Sequence, residues 1–117
     1  MKIGTDITQI RRIEMLIEKY GETFKEKFLT SQEIKNTKKV ESLAGLWAAK
    51  EAISKALGCG IGKSLTFHDI IITKNEYGAP CFILSKKAQK IHKITQSSLS
   101  ISHDGGFAIA VVALNTL

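Results

Sequence analysis

The chain has 117 residues, of which 44% are hydrophobic and 24% charged, and its formal net charge is +6. This composition excludes a disordered chain, and the length predicts a single domain over residues 1–117. No segment has the ~20 apolar residues of a membrane helix, and the N-terminus turns polar too early for a signal peptide. We therefore expect a cytoplasmic protein without a membrane partner. The positive charge predicts an anionic partner.

The first predicted element is a short strand. Residues 1–7 alternate in character, with Ile3 and Ile7 on one face and Gly4 and Asp6 on the other. An alternation of this kind over several residues is typical of a strand that is buried on one side only. We therefore expect a half-buried strand at the start of the chain.

Helices are predicted next. Thr8 is the expected N-cap of a helix that continues to about Lys19, because its hydroxyl can accept a hydrogen bond from the first turn. Residues 21–39 predict one or two short helices, and Thr30 or Ser31 is the expected cap of the second.

The second half of the chain predicts a long helix, from about Glu41 to Leu57 and ended by Gly58, followed by antiparallel strands. Strands are expected at residues 70–73, 81–84, 99–103 and 107–114, and a short basic helix is expected at residues 86–92. The predicted fold class is α+β, with a small antiparallel sheet packed against the long central helix and several shorter helices. A chain of this length cannot readily bury the apolar surfaces of both the sheet and the long helix. We therefore expect it to form an oligomer that completes the burial.

The long helix has an unusual distribution of polar residues. About half of its circumference over residues 47–58 carries only apolar side chains. The polar side chains fall together in an arc of about 140°. They are Lys50, Glu51, Ser54 and Lys55. Because buried charge is costly unless it is paired or bound to a metal, a mostly buried helix with this stripe suggests a functional site.

Each candidate residue also has a structural interpretation. Asp6 alone is more often a local cap, and Glu51 alone is more often an ion pair with Lys55 at the favourable i, i+4 spacing. His103, at the end of a predicted strand, is alone more often structural. If Asp6 and Glu51 converge, they form a two-carboxylate Mg²⁺ site, and Lys55 then suits a phosphate or a developing negative charge.

Three separated motifs resemble those of the holo-(acyl-carrier-protein) synthases, the small bacterial class of 4′-phosphopantetheinyl transferases. They match in order and roughly in spacing, and together they span nearly the whole chain. The motifs are Gly4-Thr5-Asp6-Ile7, the segment 44–62 with Trp47-Ala48-Ala49-Lys50-Glu51-Ala52 at its centre, and Ser100-Ile101-Ser102-His103. The chain departs from the family's pattern at two positions, since the family usually has Arg where this chain has Leu46 and Thr where it has Cys59.

The resemblance implies an enzyme that moves 4′-phosphopantetheine from coenzyme A to a serine of apo-acyl carrier protein, releasing adenosine 3′,5′-bisphosphate in support of fatty acid synthesis. Mg²⁺ would be held by Asp6 and Glu51. Glu51, Lys55 and His103 would be catalytic, and the coenzyme A site would include Ser54, Lys55, Gly58 and His103.

The resemblance also implies a homotrimer with active sites between subunits, and a basic and apolar first helix that binds the acidic carrier protein. The counterparts in this chain are Arg11, Arg12, Met15, Leu16 and Lys19. Two alternatives are a basic nucleic-acid-binding module, which the scarcity of aromatic residues disfavours, and a non-catalytic scaffold of the same fold. No nucleic-acid partner is expected, and Lys50 has no assigned role.

Overall fold

The computed structural model describes residues 1–117 and has ten regular elements. In chain order they are β1 (Lys2–Gln9), α1 (Ile10–Tyr20), α2 (Glu22–Phe28), α3 (Ser31–Asn36), α4 (Val40–Ala56), β2 (Ile70–Lys74), β3 (Pro80–Leu84), α5 (Lys86–His92), β4 (Ile94–Asp104) and β5 (Phe107–Thr116). The strands form two antiparallel sheets, one ordered β1-β5-β4 and the other pairing β2 with β3. The predicted α+β class is confirmed. None of the helices combines the length and apolar character that crossing a membrane requires.

Helix α4 lies against the three-stranded sheet at unusually close range. A Cβ atom built on Gly4 of β1 would lie 1.9 Å from the carbonyl oxygen of Ala52, and one on Gly45 of α4 would lie 2.9 Å from Cγ2 of Ile101 in β4. The alanine-rich side of α4 predicted to pack on the sheet does so, with Ala48, Ala49 and Ala52 all fully buried. Small side chains on both surfaces therefore set the helix-to-sheet distance.

Strand β1 buries its small and polar face rather than its apolar face. Gly4 and Thr8 are buried beneath α4, whereas Ile3 and Ile7 are 64% and 62% exposed. The exposed face continues across the neighbouring strand β5, where Ile7 pairs with Ile109. The single chain therefore presents an uncovered apolar sheet surface, formed by Ile3, Ile7, Phe107, Ile109 and Val111.

The predicted N-cap at Thr8 is wrong. Thr8 remains in β1, where its hydroxyl donates to Oδ2 of Asp6 at 2.8 Å, and the N-cap of α1 is Gln9, whose side chain makes no capping hydrogen bond. The Thr8 hydroxyl therefore forms its hydrogen bond with the Asp6 carboxylate and not with the first turn of α1. The alternative cap at Thr30 is confirmed. Its hydroxyl accepts from the backbone N–H of Glu33, and the Glu33 carboxylate accepts from the Thr30 N–H.

Candidate active site

Asp6 and Lys55 meet where β1 passes under the last turns of α4. The Lys55 ammonium donates to Asp6 Oδ1 at 2.9 Å and to the Thr5 carbonyl at 3.2 Å, while Thr8 occupies the other oxygen of Asp6. The Asp6 side chain is only 14% exposed, and that of Lys55 is 54% exposed. The i, i+4 ion pair between Glu51 and Lys55, considered above as an alternative, does not form because Lys55 pairs with Asp6.

Glu51 lies one turn before Lys55 and faces the same region. Its carboxylate forms no hydrogen bond or ion pair within the chain. Partial burial raises the pKa of Glu51, and the negative charge of Asp6 raises it further, against the opposing effects of Lys55 and Arg12. The structure therefore brings Asp6, Glu51 and Lys55 together, which is the convergence that the sequence left conditional.

The two carboxylates form a donor set that fits Mg²⁺. The chain has no cluster of three or more His, Cys, Asp and Glu side chains that could hold a metal ion by itself. Mg²⁺ does not need such a cluster, because it commonly takes one or two carboxylates and completes its shell with water and substrate phosphate. Partial burial and, after it, repulsion from Asp6 raise the pKa of Glu51, and a bound cation would relieve that repulsion. The ligand roles of Asp6 and Glu51 stay predictions.

Ser54 and Gly58 shape the end of α4. Ser54 is fully buried, and its hydroxyl donates to the Glu51 carbonyl at 2.7 Å. The Ser54 carbonyl accepts hydrogen bonds from the backbone N–H groups of Cys59 and Gly60. Gly58 has a φ of +77°, a left-handed backbone conformation that residues with a side chain rarely adopt. Ser54 thus points into the protein in the single chain, and the assignment of both residues to a nucleotide site stays a prediction.

His103 does not join this group of residues within one chain. It lies in β4 opposite Ala108 of β5, and Ala108 in turn lies opposite Thr8 of β1. Two strand spacings, about 10 Å in total, therefore separate the backbone at His103 from that at Thr8. Within the single chain, His103 therefore makes no direct contribution to the group formed by Asp6, Glu51 and Lys55, and its catalytic and nucleotide-binding roles stay predictions.

A groove of about 480 Å³ lies between α1 and α4. Its lining residues are Arg12, Met15, Leu16, Lys19 and Trp47. The Arg12 guanidinium lies 5.7 Å from the centre of the Trp47 ring, close enough for a cation–π interaction. Arg11, by contrast, does not line the groove and pairs with Glu14 and Glu18. Four of the five predicted partner-binding residues thus share one surface.

Trp47 also lines the groove, although it is not one of the predicted partner-binding residues. It is the only tryptophan of the chain, on a helix whose other apolar side chains are mostly alanine. This contrast in side-chain size is the sequence feature that could have indicated a role for Trp47, because a large ring among small residues is typical of a packing anchor or a binding surface.

Comparison with known proteins places this site in a family. The model of the 4′-phosphopantetheinyl transferase superfamily matches residues 2–112. A holo-[acyl-carrier-protein] synthase of Sulfurovum sp. is 63% identical over 115 residues, covering 98% of this chain and 97% of that protein. The corresponding synthase of Nitratiruptor sp. is 55% identical over 112 residues, covering 96% and 97%.

Solved structures agree. The Helicobacter pylori holo-[acyl-carrier-protein] synthase, in complex with coenzyme A, superposes with a TM-score of 0.91 at 48% identity and covers 97% of this chain and 99% of that one. The Neisseria meningitidis synthase gives 0.89 at 34% identity, covering 98% of each chain. The chain therefore belongs to the 4′-phosphopantetheinyl transferase superfamily and, within it, to the holo-[acyl-carrier-protein] synthases. This membership confirms that it is an enzyme.

Proposed function

We propose that this protein uses Mg²⁺ to transfer 4′-phosphopantetheine from coenzyme A to a serine hydroxyl of apo-acyl carrier protein, releasing adenosine 3′,5′-bisphosphate. The reaction would support fatty acid synthesis in the cytoplasm, and residues 1–117 would form its single domain. The observation that carries the proposal is the meeting of Asp6, Glu51 and Lys55. It occurs in a chain 48% identical to a synthase solved with coenzyme A.

Catalysis of such a transfer rests on positioning and on stabilising negative charge. Asp6 and Glu51 would hold the Mg²⁺, which when bound neutralises phosphate charge and polarises the phosphorus. The bond from phosphorus to the serine oxygen forms while the bond to the departing adenosine bisphosphate breaks, and the serine proton passes to a base, for which the Glu51 carboxylate is one candidate. The ammonium of Lys55, oriented by Asp6 and half exposed, is suited to stabilise the charge on the leaving phosphate.

Intact-mass spectrometry of an apo-acyl carrier protein tests the reaction. With this protein, coenzyme A and Mg²⁺, the carrier protein is expected to gain the mass of one 4′-phosphopantetheine, and a chelator is expected to prevent the gain. A gain that persists with the chelator would contradict the metal requirement. Carrier binding without any gain would favour a scaffold, and salt-sensitive binding of generic RNA without transfer would favour the nucleic-acid module.

The groove between α1 and α4 is the proposed docking surface for the carrier protein. Met15, Leu16 and Trp47 supply apolar contact area, while Arg12 and Lys19 supply positive charge. This combination suits an acidic helix with an apolar stripe. The charge of Arg12 also acts on the Glu51 carboxylate, so a partner seated there would lie beside the reacting groups.

Reversing the charge of Arg12 is expected to weaken carrier docking specifically. Arg12→Glu should raise the KM for apo-acyl carrier protein about tenfold, because like charges then meet across the interface, and leave the KM for coenzyme A nearly unchanged. Steady-state kinetics with each substrate varied in turn measures both constants. Arg11→Glu is the matched control, since it makes the same charge change one residue away, outside the groove. Equal effects of the two variants would indicate general electrostatic steering instead.

A homotrimer with shared active sites is the proposed assembly. The uncovered sheet surface defined above offers an apolar face for contacts between copies. His103 and Asp6 lie apart within one chain. In the proposed assembly, a neighbouring copy would bring its His103 to the site formed by Asp6, Glu51 and Lys55.

Mixing two inactive variants tests this assembly. Asp6→Asn and His103→Ala are each expected to be strongly impaired alone. Co-expressed, they should regain activity, because some sites then combine an intact Asp6 from one chain with an intact His103 from another. Transfer rates of the purified mixed oligomer, compared with those of each variant, measure the effect. Activity no greater than the sum of the separate variants would contradict a shared site.

A further inference from the structure

Lys50 is the one member of the polar stripe of α4 that the proposed reaction does not use, and it is completely buried. Its side chain is 0% exposed, yet its ammonium has a full set of acceptors. Nζ donates to the Phe28 carbonyl at 2.8 Å, to Glu33 Oε1 at 2.8 Å and to the Phe67 carbonyl at 3.1 Å. Because an ammonium has three donors, none is left over.

Glu33 is equally committed to the interior. Its side chain is 2% exposed, and in addition to Lys50 it accepts from the N–H groups of Thr30 and Ile72, each at 2.8 Å. Buried ion pairs contribute little net stability, because desolvation offsets their attraction. The pair instead fixes the relative positions of the elements around it, because its hydrogen bonds join α4 to the end of α2, to the start of α3 and to β2.

The two carbonyl groups bound by Lys50 belong to residues whose rings pack on Trp47. The ring centres of Phe28 and Phe67 lie 5.1 Å and 4.9 Å from that of Trp47. Trp47 precedes Lys50 by one turn of α4 and lines the groove beside Arg12. Lys50 therefore holds the backbone of the two residues that support the tryptophan ring from inside.

We infer that Lys50 is a positioning residue for carrier-protein docking. Through Phe28 and Phe67 it holds the Trp47 ring in the orientation that forms the floor of the groove. The inference rests on the proposed docking role of that groove. The Lys50 ammonium makes no hydrogen bond or ion pair with Asp6, Glu51 or Lys55, so its loss should change carrier binding and leave the chemical step intact.

The first test is Lys50→Met, which keeps the length of the side chain and removes its three donors. We expect the KM for apo-acyl carrier protein to rise about fivefold, the usual scale for losing one good interface contact. The KM for coenzyme A and kcat should stay within about twofold. Because Trp47 is the only tryptophan, its emission should move to longer wavelength and become more accessible to acrylamide. All measurements are made where circular dichroism shows a folded protein.

A second variant separates positioning from stability. Lys50→Met combined with Glu33→Gln removes the uncompensated buried carboxylate, so most of the lost Tm should return. The raised KM and the altered Trp47 emission should persist, because the tether to Phe28 and Phe67 is still absent. This neutral double variant carries the test if the single variant does not fold. Val112→Ala, at a fully buried position of the central strand β5, should lower Tm without changing either readout.

The outcomes are distinguishable. If KM and emission return to wild-type values together with Tm in the double variant, Lys50 serves stability only and the inference is overturned. It is also overturned if Trp47 changes while the KM stays normal, in a protein where Arg12→Glu raises that KM. An unchanged KM in both the Arg12 and Lys50 variants would overturn the docking groove itself.

Discussion

Glu51→Gln is expected to reduce 4′-phosphopantetheine transfer by about three orders of magnitude, equivalent to ~4 kcal/mol of transition-state stabilisation. The amide keeps the size of the side chain but removes one of the two charges that face the proposed cation. Asp6→Asn should act similarly, with the added loss of the Lys55 ion pair. The rate of mass gain by the carrier protein at saturating coenzyme A measures the change.

The same variant is expected to keep or raise the stability of the metal-free protein. The pKa of Glu51 lies above its ordinary value of 4.5 in the fold, so the folded state binds its proton more tightly than the unfolded state does. Ionising Glu51 therefore costs folding stability as the pH rises from 4.5 through the raised pKa. Gln avoids that cost, so Tm at pH 7 with a chelator should equal or exceed the wild-type value. Below pH 4.5 the difference should vanish.

Glu76→Gln is the matched control, because this carboxylate lies exposed in the turn between β2 and β3. It should leave both transfer and Tm unchanged. Near-normal transfer by Glu51→Gln would contradict the metal assignment. A large fall in Tm for Glu51→Gln would instead mean that the residue serves the fold.

Gly4→Ala is expected to lower both stability and activity. The added methyl group would lie 1.9 Å from the Ala52 carbonyl oxygen and 2.7 Å from the Ala56 nitrogen, so β1 must move away from α4. Overpacking against backbone of this kind costs about 3 kcal/mol or roughly 12 °C in Tm. Asp6 lies two residues further along the same face, so its displacement from Glu51 and Lys55 should also slow transfer about 100-fold.

Gly62→Ala provides the comparison, because an added Cβ there would meet no atom within 4 Å. Its Tm should change by less than about 2 °C, as for an unconstrained surface position. Thermal unfolding by circular dichroism, together with the mass-gain assay, measures both effects. A Gly4→Ala protein with normal Tm and normal transfer would show that β1 and α4 can separate without consequence for the site.

Local signals were sufficient for most of the fold. The helix cap at Thr30 and the glycine that ends α4 each depend on neighbouring residues alone, and both are found as predicted. Strand β4 begins at Ile94, five residues before the predicted start at Leu99. Its first part is polar and mostly exposed, so only backbone pairing with β5 marks it as a strand.

Contacts between distant parts of the chain account for what the sequence did not reveal. Thr8 resembles a helix cap in the sequence because it precedes a helix and carries a hydroxyl. That hydroxyl can equally well donate to a carboxylate two residues away, which is what it does in the structure. Lys50 had no visible role because its acceptors lie 17 and 22 residues from it along the chain. The convergence of Asp6 and Lys55 likewise depends on the packing of β1 under α4, which the close approach at Gly4 permits.

The uncovered sheet surface also bears on how this enzyme should be assayed. Association that buries Ile3, Ile7 and Ile109 would stabilise the folded chain by mass action, so stability would depend on protein concentration. Specific activity would then fall on dilution as oligomers dissociate into chains without complete sites. If copies of the chain associate as proposed, kinetic constants of variants would be comparable only at matched protein concentrations, and dilute assays would exaggerate any substitution that weakens association.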